Sequence, residues 1–256
     1  MKEILIFFVA HWYLSLFFQT FFLHRYAAHK AFTMNKFTEK VVYIHTWIFQ
    51  GSNYLSPYGY GVMHRMHHAF ADTENDPHSP KYDETIWNMM WKTKTIYSDI
   101  ANKKISVEKR FTEGVPDWIA FDKFARSWPS RLFWGILYVA FYFQFAAYWW
   151  LWLLLPVHFL MSPIHGAIIN WFAHKYGYRN FEVGDTSVNF LPVDFLMMGE
   201  SYHNNHHKYG SRPNFGGIRW HEIDPTYVVM RVLDKVGIIK LARQKEIVLE
   251  RIKKAA

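Results

Sequence analysis

The stretch ILIFFVAHWYLSLFFQTFFL, Ile4 to Leu23, decides the class of fold. Its strongly polar members are His11, Ser15, Gln19 and Thr20, and at about 1.5 Å per residue a helix of that length covers the roughly 30 Å hydrocarbon core of a bilayer. Only Lys2 stands before it as a basic residue, and the polar run HRYAAHK follows with no small-residue cleavage site. The pattern predicts a retained membrane span rather than a cleaved signal peptide.

Working outward, a second apolar stretch from Leu132 to Asn170 is about twice the spanning length and is interrupted near Pro156. This predicts two antiparallel spans, 132–150 and 152–173, beside the first at 4–23. Trp134, Tyr148, Trp149, Trp150, Trp152 and Trp171 crowd the edges and the middle of the stretch, as amphipathic rings do at headgroup level. Residues 38–61 are apolar and aromatic but broken by Gln50, Ser52, Asn53 and several Gly and Pro, which predicts an interfacial or shallowly re-entrant segment. The expected fold is therefore an all-α integral membrane protein with about three transmembrane helices. The polar segments 62–130 and 174–256, the latter ending in a periodic basic helix from about Pro225, are expected to form a helical cap. The 256 residues make one domain. A mean hydropathy of −0.13 conceals this organisation, because apolar spans are averaged with a charged cap.

There is no Cys among the 256 residues, so disulfides, Cys-ligated zinc, iron–sulfur clusters and a Cys nucleophile are all excluded. The 15 His are concentrated: HRYAAH holds His24 and His29, HRMHH holds His64, His67 and His68, NWFAH pairs Asn170 with His174, and HNNHH holds His203, His206 and His207. On a helix, positions i, i+3 and i+4 share a face, so each H-x-x-H-H block presents three imidazoles in one direction. His24 and His29 are five apart, about 140° around a regular helix, which predicts a bend or different angles of approach. Solitary His11, His45, His158 and His165 are read as packed or hydrogen-bonded, His78 as a turn or supporting residue, and His221 as surface. Nine candidate donors exceed what one ion takes, so two metals are implied. Imidazole suits zinc, copper, iron and nickel; an all-nitrogen pair of ions beside a membrane points to redox-active iron, whereas one zinc with a bound water would hydrolyse. The chain between His29 and His64 is too short for two crossings, which need about forty residues, so the histidines share one side of the membrane. That side also carries most of the Lys and Arg and is expected to be cytoplasmic, with the N-terminus external.

The ordered boxes H-x4-H, H-x2-H-H and H-x2-H-H, the Asn170/His174 pair, the DPH at Asp76–His78 and the run GESYHNNHH together resemble the membrane fatty acyl desaturases, in particular the acyl-CoA, delta-9 type branch in its bacterial form. The resemblance implies two irons held by His24, His29, His64, His67, His68, His174, His203, His206 and His207, with Asn170 acting through a bound water. It implies O2-dependent removal of two hydrogens from adjacent methylenes of a saturated acyl chain, acyl-CoA being the expected substrate, in a bacterial inner membrane. An unactivated C–H has no acidic proton, so protein acid–base groups alone cannot break it. Because the chain has no haem, flavin or iron–sulfur signature, electrons are expected from a separate small carrier, ferredoxin-like, rubredoxin-like or cytochrome b5-like; nucleic acid is not an expected partner. Arg65, Lys92 and Lys94 are candidates for the substrate headgroup. The alternatives are a di-iron fatty acid or alkane hydroxylase and, in another class, a non-catalytic metal-binding protein or transporter.

Overall fold

The computed structural model describes residues 1–242. The final part of the expected terminal helix lies outside the described residues. The described chain is mostly helical, with one two-residue strand pair, β1 (Phe32–Thr33) antiparallel to β2 (Lys240–Leu241). Among the described residues, two helices are long and apolar enough to cross a membrane: Lys2–Ala28 and Trp149–Phe172. The first is α1 (Lys2–Phe18) continued by a π-helical stretch, Gln19–Ala28. The other runs from a 3-10 turn, Trp149–Leu154, through α8 (Leu155–Ala167) into a second π-helical stretch, Ile168–Phe172. Between them come α2 (Lys36–Gln50), α3 (Pro57–Phe70), α4 (Ile86–Ala101), α5 (Lys109–Thr112), α6 (Ile119–Ala125) and α7 (Trp128–Phe145); α9 (His203–Lys208) and α10 (Pro225–Lys235) follow.

The chain reverses between α7 and the next helix at residues 146–148, not at Pro156. Pro156 lies in the first turn of α8, where its missing N–H has no intrahelical partner to lose. Residues 38–61 form no single element: they comprise most of α2, a 3-10 turn at Gly51–Asn53 and the start of α3. Local chemistry sets these boundaries. Asn35, Ser56, Thr85, Ser127 and Asp224 each accept a backbone N–H of the helix they precede, and Pro57, Pro129 and Pro225 occupy first turns.

Apolar contact between helices is weakly driven inside a bilayer, so polar contacts matter more there. His11 of α1 and His158 of α8 approach at 2.7 Å between Nδ1 atoms, and Tyr142 of α7 meets His158 Nε2 at 3.0 Å. Asn53 enters the backbone ladder of α8: its Oδ1 accepts from Ser162 N at 2.7 Å and its Nδ2 donates to His158 O at 2.9 Å. Those two backbone groups are an i, i+4 pair, so one amide side chain spans a turn of α8 just before Pro163. Near the boxes, Phe21, Phe22 and Leu23 pack with Tyr43 of α2 and Met230 of α10, while Val62 and Met63 of α3 pack with Ile100 and Phe111. These contacts fix α3 against the end of the first helix, where the first two boxes meet.

Candidate metal centre

The five-residue spacing of the first box is explained by the backbone. The π-helix bonds i to i+5, and His29 N donates to His24 O at 3.1 Å, so residues five apart come to the same face. Their rings lie 4.9 Å apart between centroids. The second box lies on α3 and the third on α9; the second π-helical stretch leads directly to His174.

The nine histidines separate into two groups whose ligand atoms lie within 4.8 Å of one another: His24, His29, His64, His68 and His206; and His67, His174, His203 and His207. Within the first, Nε2 atoms are separated by 2.9 Å (His29–His64), 3.0 Å (His64–His68), 2.9 Å (His68–His206) and 3.1 Å (His24–His206). In the second the distances are 3.0 Å (His174–His203) and 3.3 Å (His67–His207). Imidazole nitrogens about 2.1 Å from a metal and at right angles to each other would be about 3.0 Å apart, against roughly 3.4 Å in a tetrahedron. Five donors at the shorter spacing fit a six-coordinate ion with one open position better than a structural zinc.

Four rings have an Nδ1 partner. His24 donates to Glu200 at 2.6 Å, His67 to Asp76 at 2.9 Å, and His207 to Asp185 at 2.8 Å, while His174 Nδ1 meets the Thr186 hydroxyl at 3.1 Å. A carboxylate on Nδ1–H fixes the tautomer whose Nε2 lone pair faces inward and raises its basicity. Burial, followed by neighbouring imidazoles, holds His29, His64, His68, His203, His206 and His207 well below the usual imidazole range, and His174 at about 4. Neutral rings with converging lone pairs are suited to hold cations. Burial pushes Glu200 up, but the hydrogen bond from His24 and the Arg25 guanidinium outweigh it and hold the carboxyl below the usual carboxylate range. Arg25, fully buried, donates to Glu200 at 2.8 Å and Asp224 at 2.7 Å and stacks on Phe215.

A cavity of about 910 Å³, within the size range of ligand sites, runs from Lys94, Tyr97 and Trp128 between α7 and α8 to Gln19 and Asn170. Asn170 and Gln19 also line a small recess bounded by His24, His64 and His203. An apolar slot therefore ends beside both histidine groups.

A fatty acid desaturase family model matches residues 3–238. The chain belongs to the fatty acid desaturase family. It is 30% identical over 223 residues to a delta-9 desaturase-like 4 protein of Arabidopsis thaliana, covering 86% of this chain and 69% of the relative. It is 28% identical to the sn-1 stearoyl-lipid 9-desaturase of Anabaena variabilis (87% and 78%) and 28% identical to an acyl-CoA 5-desaturase of Anemone leveillei (84% and 64%).

Not every sequence expectation for this desaturase meets the cavity. Arg65 donates to the carbonyls of Ala27, Ala28, Phe111 and Glu113, which ties α3 to its neighbours, and it lines a separate pocket of about 360 Å³ with His29, Lys30 and Arg110. Lys92 lies near His78, whereas Lys94 lines the cavity with its ammonium 4.3 Å from the Trp91 ring. Sequence reasoning missed Glu200, Asp76, Asp185 and Thr186. Asp76 and Glu200 lie inside the noted DPH and GESYHNNHH runs, which was a signal; Asp185 and Thr186 had none. His78 is buried with its ring centroid 4.2 Å from that of His67.

Proposed function

We propose that this desaturase family member introduces a double bond into a saturated fatty acyl chain, using O2 and two irons held by the nine histidines. The observation that carries the reading is the meeting of an apolar slot with the two imidazole groups at Asn170. Iron held there would supply the oxidant that takes two hydrogens from adjacent methylenes, with O2, two electrons and two protons leaving as water. His24, His29, His64, His68 and His206 would hold one ion; His67, His174, His203 and His207 the other, with Asn170 reaching it through water. Glu200, Asp76 and Asp185 keep the rings oriented, which matters because misplaced ligands lose affinity steeply. The slot walls exclude water and align the chain so that one pair of methylenes stands before Asn170.

Electrons come from a separate acidic carrier attracted to the basic face, the chain having no thiolate for an iron–sulfur cluster. If α8 crosses the membrane while His68 and His174 share a side, α7 must cross as well; α1, α7 and α8 are then the spans, with the histidines cytoplasmic. The histidine-box resemblance implies acyl-CoA as the carrier, while the names of the relatives include both acyl-CoA and acyl-lipid substrates. Expression in cells that make only saturated fatty acids is expected to yield monounsaturated chains, and the His206→Ala variant none. An unchanged fatty acid profile with the protein inserted in the membrane would overturn the reading.

A further inference from the structure

We infer that the pocket beside His29 is where a small acidic electron carrier docks, and that electrons reach the five-histidine group through the His29 ring, an inference that rests on the desaturase reading. His29 closes the first box, and its Nε2 stands 2.9 Å from His64 Nε2 inside that group. The same residue lines an open pocket of about 360 Å³ with Ala28, Lys30, Arg65, Arg110 and Glu113. His29 lines neither the slot nor the recess, and the pocket shares no lining residue with either. Since His24 and His64 border the recess while His29 faces the pocket, the histidine group stands between the two, and an acyl headgroup held in the pocket could not feed its chain to Asn170. What the pocket offers a visitor is contact with a candidate metal ligand, one imidazole away from the ion it would hold, and electron transfer needs no more than that.

The charges around the pocket suit an acidic partner. The π-helical stretch ends with His29 as its cap, and Lys30 turns the chain at a φ of 51°, its side chain exposed. Gly114, left-handed at a φ of 67°, makes room for the Lys30 ammonium, which a Cβ there would meet at 2.7 Å. Among the described residues Lys30 pairs with no carboxylate. Arg65 gives its hydrogen bonds to four carbonyls, so its guanidinium is held in place with no carboxylate on it. Arg110 pairs with Glu108 at 2.8 Å in an exposed and therefore weak bridge, and Glu113 is the pocket's own acid. Three cations against these two acids leave the rim positive, with Lys109 exposed beside it. Such a field speeds the encounter with an acidic protein and orients it. Lys92 offers an alternative entry, toward the four-histidine group, but the rings it approaches are closed: His78 is 2% and His67 0% exposed. The transfer makes and breaks no bond: the carrier loses one electron and the ion held by the five-histidine group gains it, so two encounters supply the two electrons of a turnover.

The test uses the full iron-loaded chain in detergent and two acidic probes, a two-iron ferredoxin and the soluble domain of a cytochrome b5. Binding of each oxidised probe is read as the mass it adds to the immobilised chain, and stopped-flow absorbance follows oxidation of each reduced probe. For the probe that the parent oxidises faster, Lys30→Glu combined with Arg110→Glu is expected to weaken binding and slow oxidation at least tenfold with iron content unchanged. Lys30→Arg combined with Arg110→Lys is expected to keep both near the parent, and Glu113→Gln to tighten binding, a gain that structural damage cannot produce. Raising the ionic strength from about 0.01 M to about 0.1 M, which shortens the Debye length from about 30 Å to about 10 Å, is expected to slow the parent more than the charge-reversed chain. Undiminished binding and oxidation after charge reversal, or a tenfold loss in Lys92→Glu instead, would overturn the docking site. A parent that dithionite reduces and neither probe does would overturn the acidic partner. The desaturase reading fails separately: a chain reduced with dithionite, freed of the reagent and given O2 with a saturated acyl chain, would return that chain unaltered or oxygenated.

Discussion

Replacing Asp185 by Asn separates the two proposed metal centres. Asp185 Oδ2 accepts from His207 Nδ1 at 2.8 Å, and Oδ1 accepts from Ser187 N at 2.9 Å. Both partners donate, and a carboxylate can accept both. An amide cannot: if its oxygen stays on Ser187 N, its NH2 faces the Nδ1–H of His207, and the imidazole must turn or move its proton to Nε2. A proton on Nε2 removes the lone pair that meets His67 Nε2 at 3.3 Å. Loss of such a support typically costs 10–100-fold in metal affinity, about 1.4–2.7 kcal/mol. The assay is metal content per chain after equilibration with graded chelator. One iron is expected to leave D185N at 10–100-fold weaker chelation than in the parent, with the second iron, in the five-histidine group, retained as before. Equal loss of both irons, or no change in either, would refute the assignment of His207 and its carboxylate to one centre.

Glu200→Gln should do the converse, loosening the iron held with His24 and sparing the other, by the same metal count. Arg25→Leu leaves Glu200 and Asp224 buried without their common cation, and about 3–5 kcal/mol of destabilisation is expected, read as a lowered unfolding temperature in detergent. Chelator-treated protein should lose stability as the pH falls below about 6.5. Each ring buried neutral binds its proton more readily when unfolded, at up to about 1.4 kcal/mol per pH unit, and for His174 this window closes near 4; a flat unfolding temperature from pH 7 to 5 would contradict it.

The candidate site was legible because its ligands come in short local patterns. Helical spacing brings His64, His67 and His68 to one side of α3. The five-residue spacing of His24 and His29 calls for a bend or different angles of approach on a regular helix; a π-helix satisfies it, and nothing in residues 19–28 announces that a backbone will adopt i to i+5 bonding. The supporting acids were harder to see because their partners are distant: Glu200 and His24 are 176 positions apart, and Asp185 and His207 are 22 apart. A lone acidic residue in a loop has no periodicity to betray its role. Pro156 suggests a break because proline disrupts helix interiors, but in a first turn it is harmless, and the reversal at residues 146–148 carries no proline or glycine signal. The slot was hidden for a different reason. Leu132, Ile136 and Phe143 read equally well as lipid-facing packing, and only the placement of α7 against α8 distinguishes a wall from a surface.

The most direct test of the central claim is the product mass from a deuterated stearoyl chain turned over under isotopically labelled dioxygen. Desaturation predicts a product lighter by two deuterium atoms that carries no labelled oxygen. A product that retains labelled oxygen, or an unaltered chain from iron-loaded protein with an active electron supply, would contradict it.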